Sequence, residues 1–266
     1  MHEMITKLRN ITIGLNHNWL VAIFLLTVGH FVNAQPALTV GYNYLHNKKL
    51  DLIYQTYNTS RQWQSDPLVP LTYGLSGSFG WNVLLQKRVQ LHVMPSVSYS
   101  RFSTAAENNS LKYVSTLHLA GFQTEFRFNP RALIKGVYNS GPLGPRFFMT
   151  LTPGYQVNLP ILHKDNLRVE ESEGEPYGKI SGSFNVSLGS GWNAFVIGRF
   201  VMTPKISATW IQTMKLDDFS ENLIGSNVFG LRDEFDNVFI FQAALQATFL
   251  KSRSNWWDKP NASDKQ

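Results

Sequence analysis

Leu71-Thr72-Tyr73-Gly74-Leu75-Ser76-Gly77-Ser78-Phe79-Gly80-Trp81 is the stretch whose reading decides the fold. Leu71, Tyr73, Leu75, Phe79 and Trp81 alternate with Thr72, Gly74, Ser76, Ser78 and Gly80. Successive side chains of a β-strand point to opposite faces, so this run specifies a strand with one large apolar face and one small polar face. The design recurs. Val89, Leu91, Val93, Val97 and Tyr99 alternate with Gln90, His92, Ser96, Ser98 and Ser100. Phe147, Met149, Leu151, Tyr155 and Val157 alternate with Thr150, Thr152, Gln156 and Asn158, and Ile180, Phe184, Val186 and Leu188 with Ser181, Ser183, Asn185 and Ser187.

Extended along the chain, the period predicts eight strands near 37–47, 70–82, 88–101, 111–129, 145–158, 178–190, 193–211 and 236–250. Several exceed the ~5–6 residues usual in soluble proteins and the ~9–11 needed to cross a bilayer at a tilt. The competing architecture is a soluble β-sandwich, whose polar face meets water. Here the polar face is Ser, Thr, Gly, Asn and Gln rather than Lys and Glu, which suits a crowded interior. Connections point the same way. With the N-terminus on the periplasmic side, the outer loops are 48–69, 102–110, 159–177 and 212–235, and the inner turns are 83–87, 130–144 and 191–192. Long outer loops and short inner turns are the rule for outer-membrane barrels, and 130–144 is the exception. The expected fold is therefore all-β: a closed antiparallel up-and-down transmembrane β-barrel of about eight strands.

Aromatic residues sort by depth along these strands. Trp81, Phe126, Phe128, Phe147, Trp192 and Phe249 fall at the periplasmic strand ends, and Tyr99, Tyr155, Trp210 and Phe239 at the outer ends. Two such girdles around an apolar band mark the two membrane interfaces.

The first residues read as an export address. Lys7 and Arg9 precede the apolar run Leu20–Val28, and Val32-Asn33-Ala34 places small residues at the −3 and −1 positions of a cleavage site. Nine apolar residues fall short of the ~20 that span a bilayer. Residues 1–34 are expected to be a signal peptide cleaved after Ala34, residues 35–251 the barrel, and 252–266 a periplasmic tail. Both termini of the mature chain would then be periplasmic, in the outer membrane of a Gram-negative bacterium.

Of 266 residues 16% are charged, and the formal net charge is +6. No run of Lys or Arg exists, so the surplus reads as solvation and interface anchoring, not nucleic-acid binding. There is no cysteine, which rules out disulfides, thiolate metal sites and a lipoprotein anchor. No cofactor or metal site is expected. Glu170, Glu171, Glu173 and Glu175 in the third outer loop, and Asp217, Asp218, Glu221, Asp233, Glu234 and Asp236 around the fourth, lack the spacing of a calcium loop and read as solvated acids.

An eight-stranded lumen is filled by side chains, so a general diffusion pore is not expected. The inward charges are Glu125, Arg127, Arg199 and Lys205, with Glu125 and Arg199 at similar depth. Unpaired charge there is costly, which makes them candidates for a lumen ion-pair network. In the first outer loop Leu50, Ile53, Tyr54 and Tyr57 follow the i, i+3, i+4, i+7 spacing of an amphipathic helix or lid. A barrel enzyme would need His46, His92 or His118 beside a serine or an acid at the rim. None belongs to a His-x-Ser or Gly-x-Ser-x-Gly pattern, and no catalytic residue is assigned.

The Val32-Asn33-Ala34/Gln35 junction, the glycine- and aromatic-rich strands such as Leu71–Trp81, the long stretch Phe195–Ile211 with Pro204 inside it, and the terminal Val238–Leu250 strand together resemble the outer-membrane β-barrel families of Bacteroidetes-type bacteria. That broad group includes PorT-like proteins associated with type IX secretion, and small OmpX-like barrels. The resemblance covers most of the mature chain but is architectural and selects no branch. It fixes no activity, and the leading expectation is a non-enzymatic barrel acting as a structural, surface-interaction or secretion-accessory component. Its partners would be outer-membrane lipid and an envelope protein met through loops or tail. The alternative is a narrow transporter or channel for a small or hydrophobic solute, with 49–63 as lid. A lipid-modifying or proteolytic barrel enzyme ranks third.

Overall fold

The computed structural model describes residues 34–60, 67–86, 91–107, 111–130, 147–166, 180–212 and 237–250. The proposed signal peptide, the C-terminal tail and the acidic loop clusters lie outside them. In chain order the elements are β1 (Gln35–His46), α1 (Lys48–Ser60), β2 (Tyr73–Gln86), β3 (Leu91–Glu107), β4 (Leu111–Phe128), β5 (Phe147–Asn166), β6 (Ser181–Trp192), β7 (Phe195–Ile197), β8 (Phe200–Ile211) and β9 (Val238–Phe249). Each of β1 to β5 pairs antiparallel with the next strand, β6 pairs with β8, β8 with β9, and β9 returns to β1. The sheet is closed. Closure removes the unpaired edges that an open sheet would present.

The short β7 is the end of the β6 stave, not a ninth one. From Gly191↔Lys205 to Phe195↔Met202 the register advances four residues on one strand and three on the other, which is a β-bulge. The hairpin then turns through Gly198-Arg199 between the paired Ile197 and Phe200. Gly198 has φ 61°, which suits the first position of a two-residue hairpin loop. This corrects the expectation of a turn at 191–192 and a strand over 193–211. Gly191, which falls in the expected turn, and Gly189 before it are there for space. A Cβ on Gly189 would lie 2.6 Å from the Ile206 carbonyl oxygen, and one on Gly191 would lie 2.5 Å from Phe148 Cζ. β3 and β5 also run beyond the expected 101 and 158, to Glu107 and Asn166, at the end of the barrel opposite the termini.

Three prolines inside the strands sit where a ladder is interrupted. Pro95 falls in the gap between Gly80↔Ser96 and Val83↔Val93, and Pro153 in the gap between Gln123↔Gly154 and Phe126↔Leu151. Pro204 faces the bulge. A proline has no N–H to give, so these gaps are where it costs least.

The polarity is inverted relative to a soluble sheet protein. Outward side chains are large and apolar, with Phe122 74% exposed and Leu75 65% exposed. Inward ones are mostly Ser, Thr, Asn and Gln, buried at Ser96, Thr150, Thr152, Asn158 and Ser187. Among the described residues no helix is long and apolar enough to cross a membrane.

The apolar core lies at the end of the barrel opposite the termini, hereafter the helix end. The first connection folds inward there as α1. Leu50, Ile53, Tyr54 and Tyr57 pack against strand residues that include Leu45, Phe102, Leu117, Ile211 and Ile240. Asn47 starts the helix: its side-chain Oδ1 accepts from the Leu50 backbone N–H at 2.7 Å, while its Nδ2 donates to the Asn237 carbonyl at 2.9 Å. The cap is thereby tied to the entry of β9. Asn47→Ala is expected to lower stability by about 1 kcal/mol, measured as a shift in the denaturant midpoint of the folded protein in micelles. An unchanged midpoint would show that packing alone seats the helix.

Candidate functional site

The candidate site is the lumen, and two features cross it. At the helix end α1 is the stopper. Tyr54 and Tyr57 are fully buried, and the Tyr54 hydroxyl meets Ser115 Oγ on β4 at 2.8 Å. Burial raises the Tyr54 pKa well above the ordinary phenol value, so the hydroxyl stays protonated and available as a donor. The chain leaving the helix is clasped in turn. Asn58 Oδ1 accepts from the Leu68 N–H at 2.8 Å and Nδ2 donates to the Leu68 carbonyl at 3.0 Å. The amphipathic spacing of Leu50, Ile53, Tyr54 and Tyr57 thus becomes a plug bonded to the barrel wall.

At the terminal end the closure is ionic. Glu125 and Arg127 are two apart on β4 and so share the inward face. Arg127 Nε donates to Glu125 Oε1 at 2.5 Å, and Lys205 of β8 reaches across the lumen to Glu125 Oε2. Arg127 Nη2 also donates to Gln246 Oε1 of β9 at 2.7 Å, and its guanidinium lies 4.9 Å from the Phe148 ring centroid. Met94 Sδ is 3.2 Å from the same Nη2. Gln246 is then fixed by its own Nε2, which donates to Thr248 Oγ1 at 2.8 Å. The result is a strut that ties β4, β8 and β9 across the interior.

The structure brings Glu125, Arg127 and Lys205 together and places Arg199 elsewhere. Arg199 is exposed at the Gly198-Arg199 hairpin tip, because the turn lies further along the chain than the expected 191–192. Gln246, Met94 and Phe148 escaped the sequence reading. An inward Gln in an alternating strand carries no mark that separates it from any other lumen residue.

Between plug and strut lies a polar cavity of about 90 Å³. Ordered amide chains line its neighbourhood: Asn185 Nδ2 donates to Gln156 Oε1 at 2.8 Å, and Gln156 Nε2 donates to Asn158 Oδ1 at 2.6 Å. Asn158 Nδ2 donates to Ser183 Oγ at 2.6 Å. Such chains hold their members in fixed orientations, because a buried polar group left unpaired is costly.

On the outside, Trp81, Tyr99, Phe147, Tyr155, Trp192, Trp210 and Phe239 are exposed, and Phe126, Phe128 and Phe249 are half-buried. Phe147 pairs with Trp192, and Trp210 with Phe239, across neighbouring strands. Tyr42, Tyr44, Tyr73 and Phe241 add an outward cluster at the helix end, where Tyr42 and Tyr73 stack at 5.7 Å. Histidines divide by face. His92 is buried inside, and His118 points outward, where its Nδ1 lies 2.6 Å from the Tyr99 hydroxyl. His46 lies 3.8 Å from Asp51. Among the described residues no histidine is hydrogen-bonded to a serine; the His163 side chain lies outside them.

No protein-family model matches the chain, and no curated protein does. Several solved structures are similar in shape. Ail, the attachment invasion locus protein of Yersinia pestis, solved in complex with the heparin analogue sucrose octasulfate, is 9% identical with a TM-score of 0.42, over 81% of this chain and 97% of Ail. Neisserial surface protein A is 9% identical with a TM-score of 0.41, over 82% of this chain and 96% of its own. The N-terminal β-barrel domain of Pseudomonas aeruginosa OprF is 8% identical with a TM-score of 0.35, over 81% and 99%.

Proposed function

We propose that this chain is a bacterial outer-membrane barrel with no chemistry of its own, a structural, surface-interaction or secretion-accessory component that meets its partners through loops or tail. The observation that carries this reading is that the lumen is crossed twice, by α1 at one end and the Glu125–Arg127–Lys205 strut at the other. A protein built to pass solutes has no use for two stoppers in series. The outward apolar face supports the membrane placement, since water around Leu75, Phe122 and Leu188 would be expensive. Two measurements test it. Purified outer membranes should yield a heat-modifiable band, and the protein in a planar bilayer should give no conductance steps. Resolved steps from the wild-type chain would instead favour the narrow-transporter reading, which the polar cavity supports.

Membrane placement also fixes the sign of a surface substitution. Leu188 is 63% exposed and sits between Leu151 and Ala208 on the flanking strands. Leu188→Arg is expected to cost about 2–4 kcal/mol when the barrel is unfolded from a bilayer. In a water-soluble sheet the same change would be neutral or helpful.

A further inference from the structure

The barrel wall is interrupted where β8 meets the β6–β7 stave. The β6–β8 ladder runs from Asn185↔Ile211 to Gly191↔Lys205, seven pairs, and three β7–β8 pairs follow beyond the bulge, where β4 forms sixteen with each neighbour. Two of the seven contain a glycine on the inward face, Gly189↔Ser207 and Gly191↔Lys205. Cross-strand side-chain pairs are what stabilise a seam, and a glycine has none to offer. Below the last pair the ladder breaks at the bulge opposite Pro204.

Different chemistry meets this seam on its two sides. Outside, two adjoining depressions of about 650 and 660 Å³ share Ser190, Ile206 and Ala243, and are almost wholly apolar. Small outward residues, Ala208 and Ala243, keep them open. Inside lies the polar cavity of about 90 Å³, to which Ser187, Ser207 and Lys205 of the seam contribute. Lys205 borders both the cavity and the outer depression. The strut it belongs to holds two cations and one carboxylate, so the described cluster carries a surplus positive charge. An anionic head would balance that surplus. The cavity has room for a few water molecules, which suits a carboxylate rather than a sugar.

We propose that the β6–β8 seam is a lateral binding site for a free fatty acid, its tail lying in the outward groove and its carboxylate reaching through the seam to Lys205. The site rests on the membrane placement proposed above and goes beyond it, because the loops and tail play no part. Parting the segment above the bulge breaks seven pairs, while the β7–β8 pairs and the other ladders keep the barrel whole.

The chain has no cysteine, so a disulfide can lock the seam cleanly. Gln212 N–H donates to the Phe184 carbonyl at 2.9 Å, which makes Ser187↔Thr209, three pairs on, a non-hydrogen-bonded pair. Such pairs have Cα atoms about 4.5 Å apart, within disulfide reach. The probe is stearic acid spin-labelled near its methyl end, in phosphatidylcholine vesicles holding the full barrel. Wild-type protein should give an immobilised spectral component. The oxidised Ser187→Cys/Thr209→Cys variant should lose it and dithiothreitol restore it, while an oxidised Val40→Cys/Gly77→Cys control on the β1–β2 seam should keep it. Lys205→Gln should weaken binding of the acid by about tenfold and leave the methyl ester unaffected. An immobilised component indifferent to the lock, or equal for acid and ester, overturns the proposal. So does its absence from wild type, whether bulk lipid or a second copy covers the groove. Heat-modifiability of the same vesicles separates these outcomes from a failure of membrane insertion.

Discussion

Glu125→Gln is expected to lower the stability of the barrel by about 3–5 kcal/mol, because it leaves Arg127 and Lys205 facing each other in the interior without a counter-charge. Glu125 and Arg127 are 5% and 2% exposed, so water cannot take the place of the lost carboxylate. The glutamine amide can still accept one hydrogen bond, but its own N–H groups would point at cations. The intact cluster is not for that reason a large source of stability. Desolvating three charges offsets most of their attraction, and the cost appears when one partner goes. Glu125→Gln combined with Lys205→Met should therefore be milder than Glu125→Gln alone, since the remaining Arg127 keeps Gln246 and the Phe148 ring. Guanidinium unfolding from micelles, followed by tryptophan fluorescence, measures both. A double variant as unstable as the sum of the two singles would show that the strut is not a unit.

The barrel itself was legible because its pattern is redundant. Eight separate stretches carry the same period of two, and a slip by one residue in any of them would turn its whole apolar face into the lumen. In Leu71–Trp81, Tyr73, Leu75, Phe79 and Trp81 are all exposed and Gly80 is buried. Leu71, which precedes β2, departs from the pattern and is buried in the core with the α1 residues. Composition is a poorer guide than steric need. Gly189-Ser190-Gly191 has the composition of a turn, yet the chain runs straight through it, because Thr150 and Phe148 occupy the space a side chain would need. The true turn, Gly198-Arg199, lies in an apolar run that reads as continuous strand. One misplaced turn displaced one candidate residue. Arg199 left the lumen for the hairpin tip, and the surplus charge fell to Lys205 and Arg127.

The same limit governs the interior. Alternation says which residues point inward, and it placed Glu125, Arg127 and Lys205 there. It cannot say how staves are rotated about the barrel, so which charge meets which follows from register and shear. Register is set by the bulge, the proline gaps and the length of each ladder, features spread over residues far apart in the chain. The plug was easier, because its four apolar residues lie within two turns of helix and a three-residue offset from Asn47 caps them.

Removing the plug should test the closure most directly, and the expected result is not simple opening. Replacing residues 48–60 by a flexible Gly/Ser linker takes away the buried faces of Leu50, Ile53, Tyr54 and Tyr57, each worth roughly 1.5–3 kcal/mol. The stability loss is therefore the largest expected of any change here, though the strand ladders remain. Conductance should stay absent all the same, because the strut still fills the terminal end. Trimming the strut alone, by Glu125→Ser, Arg127→Ser and Lys205→Ser together, should also leave a silent barrel, closed by α1. Only the combination should conduct in a planar bilayer, since two stoppers in series multiply their effect rather than add. A silent combined variant that still shows a heat-modifiable band would mean that the amide chains around Asn158 and Gln156 close the lumen unaided. Conduction from the plugless barrel alone would mean that the strut is a tie between strands and not a stopper, leaving α1 as the single gate of a transport path.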